Sequence, residues 1–225
     1  MVLTGAGISK DSGIPTFRGK DGWYKNTPPE KLATNEAFYS NPDLVWEWYN
    51  MRRKIILNAS PNAAHYKIAE MEKKFPCFLL VTQNVDSLHK KAGSRKIVEL
   101  HGNIFRTKCT ECQRVFNEDY RIFKEDELPP RCSYCGGILR PDVVWYGESL
   151  NPEDLDKALS FAYRADLIIV IGTSGIVYPA AMLPHIVKSN GGIVVEINPE
   201  NTPITEIADL KIKEGAKNAL SQLKF

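Results

Sequence analysis

The sequence predicts an α/β protein: a Rossmann-like parallel sheet with a smaller inserted domain of helices and a zinc ribbon. Three observations carry this prediction. Three short apolar runs rich in β-branched residues, 78–82, 166–172 and 192–198, have the length and unbroken hydrophobicity of strands buried on both faces. Each ends in a polar or glycine-containing turn, and helical patterns fill the intervals, as in a doubly wound sheet. The alternation breaks at roughly 26–58 and again at 106–136, and the second break carries four of the five cysteines. Residues 1–25, 59–105 and 137–225 are therefore assigned to the larger domain, and 26–58 and 106–136 to the smaller.

Residues 1–4 read as the tail of a first strand, and Leu3-Thr4-Gly5-Ala6-Gly7-Ile8-Ser9 as strand end, tight turn and helix start. Glycines in such a turn let backbone approach a pyrophosphate, to which the helix N-terminus offers N–H groups and a positive dipole end. Lys10 stands where a third glycine of G-x-G-x-x-G would fall, and Asp21 sits in the loop Gly19-Lys20-Asp21-Gly22 instead of at a strand end. An ordinary hydride-transfer domain is thus a poor fit. A helix follows over 62–75, with Pro61 near its start, and 96–100 and 138–145 are further strands. Asn151-Pro152 reads as a cap and first-turn proline for a helix over 152–164, and another helix spans 179–190.

Cys109, Cys112, Cys132 and Cys135 form Cys-x2-Cys, nineteen intervening residues, then Cys-x2-Cys. This is the spacing of a tetrathiolate zinc site, with Pro129-Pro130 before the second pair and Gly136-Gly137 after it to permit tight knuckles. Two disulfides are the alternative, disfavoured by the unpaired fifth cysteine and by an opening Met1-Val2-Leu3-Thr4-Gly5 that has no export pattern. Four sulfurs close the metal's shell, so the zinc is expected to be structural. Cys77, between Pro76 and Phe78, reads as a buried small hydrophobe.

Composition excludes several function classes. With 25% charged and 10% aromatic residues the 225-residue chain is neither disordered nor fibrous. Its strongest apolar run, Leu167–Ile171, has strand length, well short of the ~20 residues of a membrane span. The net charge of +2 becomes zero if four thiolates hold one Zn²⁺. Around the cysteines Lys108, Arg114, Arg121, Lys124 and Arg131 are offset by Glu111, Glu118, Asp119, Glu125, Asp126 and Glu127, so no nucleic-acid surface is expected. A cytoplasmic protein is expected from the absence of a targeting pattern.

Polar clusters gather at predicted strand ends, where open α/β sheets bind ligands. They are 11–19 (Asp11 to Gly19), Thr82-Gln83-Asn84-Val85-Asp86, His101-Gly102, Val143-Val144-Trp145-Tyr146-Gly147-Glu148, Gly172-Thr173-Ser174 and Ile197-Asn198-Pro199-Glu200. Together with the cysteine pairs and in this order, they resemble the landmarks of the sirtuins, NAD-dependent protein-lysine deacylases. The resemblance runs from Gly5 to Asn198, with a clipped first strand and a variable Pro-Thr-Phe-Arg-Gly segment as small departures.

The resemblance implies NAD and an extended acyl-lysine peptide entering a cleft between two domains from opposite sides. It places Gly5, Ala6, Gly7 and Ile8 at the pyrophosphate, and Thr16, Phe17, Arg18 and Tyr24 in or beside a loop closing over the cofactor. Gln83, Asn84, Val85 and Asp86 are placed around the nicotinamide ribose and carboxamide. Gly172, Thr173, Ser174 and Asn198 fall at the phosphates and adenosine ribose, with Ala216 over the adenine. In the implied reaction the acyl oxygen displaces nicotinamide at the ribose carbon. His101 then serves as general base for a ribose hydroxyl, Asn84 orients ribose or water, and O-acyl-ADP-ribose leaves. His65 reads as a helix residue, His89 as a surface residue beside Lys90 and Lys91, and His185 as a helix position.

Tyr49 and Arg52, three apart in a predicted helix, share one face. A guanidinium fork matches a carboxylate, which succinyl-, malonyl- and glutaryl-lysine carry and acetyl-lysine lacks. This Tyr-x-x-Arg resembles the signature of the sirtuin class that removes acidic acyl groups, with Val144, Trp145, Tyr146 and Gly147 on the substrate cleft. Acyl-lysine proteins or peptides (succinyl, malonyl, acetyl) are the expected partners, bound by strand addition. Mono-ADP-ribosyl transfer at the same NAD site and a zinc-ribbon nucleic-acid module are the alternatives.

Overall fold

Six parallel strands form the central sheet of the computed structural model, in the order β3-β2-β1-β7-β8-β9. They are β1 (Val2–Thr4), β2 (Leu80–Thr82), β3 (Ile97–Glu99), β7 (Leu167–Ile171), β8 (Ile193–Ile197) and β9 (Leu210–Ile212). The structure describes residues 1–17, 22–23, 28–118 and 120–224; Arg18 and Tyr24 lie outside the described residues. The chain builds outward from β1 to β3 and later returns to pair β7 against the other side of β1. The β1–β7 junction is therefore the point where strand order reverses, and a crevice opens there beyond the strand ends.

The sheet is apolar on both faces, which explains the uninterrupted hydrophobic runs. Val2, Leu80, Ile169 and Ile171 pack under α3 (Ala63–Lys74) and α7 (Ala216–Ser221) through Ala64, Ile68, Ala219 and Leu220. Leu3, Val81, Ile168 and Val170 face the opposite way, onto α5 (Pro152–Ala162) and α6 (Met182–Ser189) through Ala158, Ala162, Leu183 and Val187. The Asn151 side chain accepts the N–H groups of Glu153 and Asp154, so the expected cap and N1 proline start α5.

A second, antiparallel sheet has the order β5-β4-β6, from β4 (Gly102–Cys109), β5 (Val115–Asn117) and β6 (Leu139–Val143). It includes residues 102–105 and 139–143, which the sequence division placed with the larger domain. The helices α1 (Asn35–Ser40) and α2 (Pro42–Leu57) pack on it, and α4 (Leu88–Lys91) is a single turn after β2. Asn41 caps α2 by accepting the Leu44 N–H, and Pro42 occupies its first turn. The face carrying Val45, Trp46, Tyr49 and Ile56 is buried against Ile104, Phe105, Phe123, Val143 and Trp145. Trp46 Nε1 donates to the Leu139 carbonyl at 2.9 Å, so the helix is anchored as well as packed.

The four knuckle cysteines converge, with all Sγ atoms within 4.8 Å of one another. That spacing and an all-thiol donor set fit one tetrahedral structural zinc. Cys77 is exposed, contrary to the buried reading, because residues 75–77 run along the surface between α3 and β2.

Candidate active site

Two glycine turns meet at the strand reversal. Gly5 N–H donates to the Ile171 carbonyl at 3.0 Å and Gly7 N–H to that of Gly172 at 2.8 Å. A Cβ on Gly7 would lie 2.7 Å from Gly172 Cα, and Gly172 itself has φ +61°. These glycines thus join the turn after β1 to the turn after β7, and their own amides are already engaged. Ile8 points into the sheet core at 0% exposure and its N–H donates to Gly5, so only its backbone borders the crevice. Across the joint Gln83 Nε2 donates to Thr173 Oγ1 at 2.9 Å, and Asn198 Nδ2 donates to the Thr173 carbonyl at 2.8 Å. Ser174 is exposed on the same turn, while Ala216 is buried at the start of α7.

One cavity is lined by Ala6, Ser9, Ile14, Pro15, Phe17, Trp23, Arg52, Ile56, Asn84, Val85 and Asp86. Its floor is a closed polar network. Ser9 Oγ donates to Asp86 Oδ2 at 2.7 Å and accepts from Asn84 Nδ2 at 3.3 Å. Leu88 N–H holds the other Asp86 oxygen at 2.9 Å. Burial pushes the Asp86 carboxyl up from its ordinary value, opposed by the Ser9 and Leu88 hydrogen bonds. His65 Nδ1 accepts the Asn62 N–H at 3.2 Å, leaving the proton on Nε2, 3.5 Å from Ser9 Oγ. Burial lowers the His65 pKa to about 4, so the ring is neutral at working pH.

Sequence reasoning missed Ser9 and gave His65 a bland helical role. The available signals were a hydroxyl closing the glycine turn and the spacing Asn62-x-x-His65, which forms a capping box here. His89 is a correction: it is 2% exposed, with its Nε2 3.0 Å from Thr4 Oγ1 and its ring 4.8 Å from that of His65. The lysines after it stay outside, but α4 turns His89 inward against β1.

His101 stands at the end of β3, half-buried, with Nδ1 3.1 Å from the Gln83 carbonyl. That carbonyl can only accept, so the proton sits on Nδ1 and Nε2 keeps its lone pair. Burial lowers the imidazole pKa, partly countered by the Gln83 bond, which leaves a neutral ring able to take a proton. Gly102 follows with φ +80°, where a Cβ would lie 2.2 Å from the Asp142 carbonyl oxygen; only glycine turns the chain from His101 into β4. Val144 N–H donates to the His101 carbonyl at 3.0 Å, joining the turn after β3 to the segment after β6.

The cavity wall formed by α2 is built differently. Arg52 is 4% exposed, with its guanidinium 4.6 Å from the Trp48 ring and 5.2–5.3 Å from Tyr49, Trp23 and Phe17. Tyr49 is buried behind it and does not line the cavity; burial raises its pKa, opposed first by the Arg52 charge. Trp145, expected on the cleft, is 2% exposed, and its indole donates to Tyr49 Oη at 2.8 Å. Tyr146 and Gly147 are exposed beyond it, and Val144 is half-buried. The neighbouring Arg53 has a different environment, donating to the carbonyls of Ile104 and Arg121 at 2.7 and 3.0 Å.

A family model described as the Sir2 family matches residues 5–179. An NAD-dependent protein deacylase of Aquifex aeolicus (strain VF5) is 54% identical across 99% of this chain and 92% of its own. A solved Sir2 homologue in complex with NAD has a TM-score of 0.93 at 48% identity, over 99% of this chain and 86% of that one. A Sir2 structure with a deacetylated p53 peptide and 3′-O-acetyl ADP-ribose has a TM-score of 0.89 at 37% identity, over 98% and 89%.

Proposed function

The chain belongs to the Sir2 family, and from that premise we propose that it is an NAD-dependent protein-lysine deacylase acting on succinyl- and malonyl-lysine as well as acetyl-lysine. The observation that carries the reading is one cavity lined by Asn84, Asp86 and Arg52 together, which brings a cofactor-type floor and a guanidinium to the same space. NAD would supply an electrophilic ribose carbon and a nicotinamide leaving group. The joint at Gly5, Gly7, Gly172 and Thr173 lies at the strand reversal, the place where an open α/β sheet takes a pyrophosphate, and its glycines let the two turns approach closely there.

Each residue then has a defined task. Asp86, held on both oxygens, binds the carboxamide in one orientation. Asn84, tied through Ser9, orients the ribose or a water. His101, with its proton on Nδ1, accepts a proton at Nε2. Arg52 pairs with the distal carboxylate of an acidic acyl group, in a water-poor setting where a charge-assisted bond is strong. The lobe built on the six-stranded parallel sheet takes NAD, while α2 and the antiparallel sheet supply the acyl wall and the zinc knuckle. The zinc on Cys109, Cys112, Cys132 and Cys135 is structural and enters no chemical step. Among the described residues no helix is long and apolar enough to cross a membrane.

The test is nicotinamide release measured with NAD alone, with NAD and acetyl-peptide, and with NAD and succinyl-peptide. Release should require a peptide and be favoured by the succinyl form. Label from NAD remaining on protein, with no soluble O-acyl-ADP-ribose, would establish ADP-ribosyl transfer instead.

A further inference from the structure

His89 takes no part in the chemistry described above, yet an unbroken run of hydrogen bonds joins it to His101. We propose that His89 is a positioning residue for His101, holding through Thr4 and Thr82 the Gln83–Asn84 peptide plane that fixes the His101 ring. This rests on the reading of His101 as the base and names what keeps that base in place.

The register pairs Thr4 with Thr82 across β1 and β2, which brings their hydroxyls together. Thr4 Oγ1 donates to Thr82 Oγ1 at 2.8 Å, so toward His89 Nε2, 3.0 Å away, it can only accept. The His89 proton is therefore on Nε2. Its buried Nδ1 has no partner among the described residues and is then an unfilled acceptor, a lesser fault than an orphaned N–H. Thr82 Oγ1 in turn accepts the Asn84 N–H at 3.1 Å. The carbonyl of that same peptide group, on Gln83, accepts His101 Nδ1–H at 3.1 Å. One peptide plane is thus gripped at its N–H by the threonine pair and at its C=O by His101. An amide that donates at one end accepts more strongly at the other, so the two grips reinforce each other. The run sets geometry and passes no proton. Thr4, Thr82 and His89 are all buried and none of them lines the cavity, so they reach a ligand only through Asn84 and His101.

The experiment combines NMR of the histidine rings with kcat and KM on an acetyl-lysine peptide in wild type, Thr4→Val, His89→Leu, His89→Gln, the double variant Thr4→Val/His89→Leu and His101→Ala. Thr4→Val keeps the side-chain shape and removes only the hydroxyl, so it decides the question even where His89→Leu does not fold. In both variants the His101 Nδ1–H resonance should broaden by exchange with water. Each should lower kcat about tenfold, the size of one hydrogen bond, with KM little changed. Glutamine carries an N–H in place of Nε2, so His89→Gln should recover most of the loss. The double variant should lose less than about twofold beyond either single one, because both break the same run. An unchanged His101 resonance in Thr4→Val, a His89→Gln that behaves as His89→Leu, or losses that multiply would overturn the assignment and leave His89 a packing residue. Retained turnover in His101→Ala would overturn the base reading instead, whereas the His101 resonance reports on the run whatever the reaction.

Discussion

The floor and the wall of the cavity solve the problem of a buried polar group in opposite ways. On the floor, Ser9, Asn84, Asp86 and His65 hold one another by hydrogen bonds, and the strand ends hold them all. On the wall, the Arg52 guanidinium is surrounded by ring faces of Tyr49, Trp48, Trp23 and Phe17. A hydrogen-bonded network defines fixed donor and acceptor positions, as bond cleavage at one ribose carbon demands. An aromatic enclosure instead stabilises a cation through ring faces, which fix its place without setting the direction of each N–H. On the function proposed above, the floor would carry the chemistry and the wall the selectivity.

Removing the metal is the most severe way to separate the two. The wall packs on the small sheet, whose β4 ends at Cys109 and whose β6 pairs back onto that cysteine through Leu139. Structural zinc contributes on the order of 10 kcal/mol, so chelation should loosen the wall first. Near-UV circular dichroism should collapse while much far-UV signal from the parallel sheet persists; simultaneous loss of both would show that the lobes do not separate. Next in size is His101→Ala, expected to lower kcat/KM about 10³-fold on every acyl peptide, with zinc content and melting temperature unchanged. Retained turnover would remove His101 from the base role.

Acid should strike the floor. The His65 pKa of about 4 lies below the ordinary 6.5, so between those values the unfolded chain binds the additional proton. Stability is then complete above about pH 6.5 and falls as pH drops toward 4, by about 3 kcal/mol from this ring. A urea-midpoint series against pH measures it, and a flat profile would contradict the buried neutral ring. The smallest effect belongs to the wall: Arg52→Met should cut kcat/KM about 30-fold on succinyl-peptide, as for a lost charge-assisted bond, with a several-fold smaller change on acetyl-peptide. Similar losses on both would make Arg52 a packing residue.

How much of this was visible in the sequence depends on whether the signal was local. The buried strands β2, β7 and β8 announce themselves as apolar runs, and the cysteine spacing states its own geometry. The strand β9, only Leu210-Lys211-Ile212, carries no periodicity to detect and exists through pairing with β8. Residues 102–105 and 139–143 read as part of the larger lobe because Ile104 and Phe105 look like sheet core in either lobe. Only long-range pairing assigns them to the antiparallel sheet. His89 and Trp145 failed for a shared reason. A polar or cleft-flanking context says nothing about which way one side chain turns, and tertiary packing turned both inward.

All four tryptophans, Trp23, Trp46, Trp48 and Trp145, belong to the aromatic cluster around α2, two of them buried and two partly so. The larger lobe contains none that packs in its own sheet core. Light absorbed at the red edge of the protein spectrum is thus emitted from this one cluster, beside the pocket proposed to discriminate acyl groups. Intrinsic fluorescence becomes a built-in reporter of that wall and of the cavity it borders, against which unfolding and ligand titrations can be read without a dye.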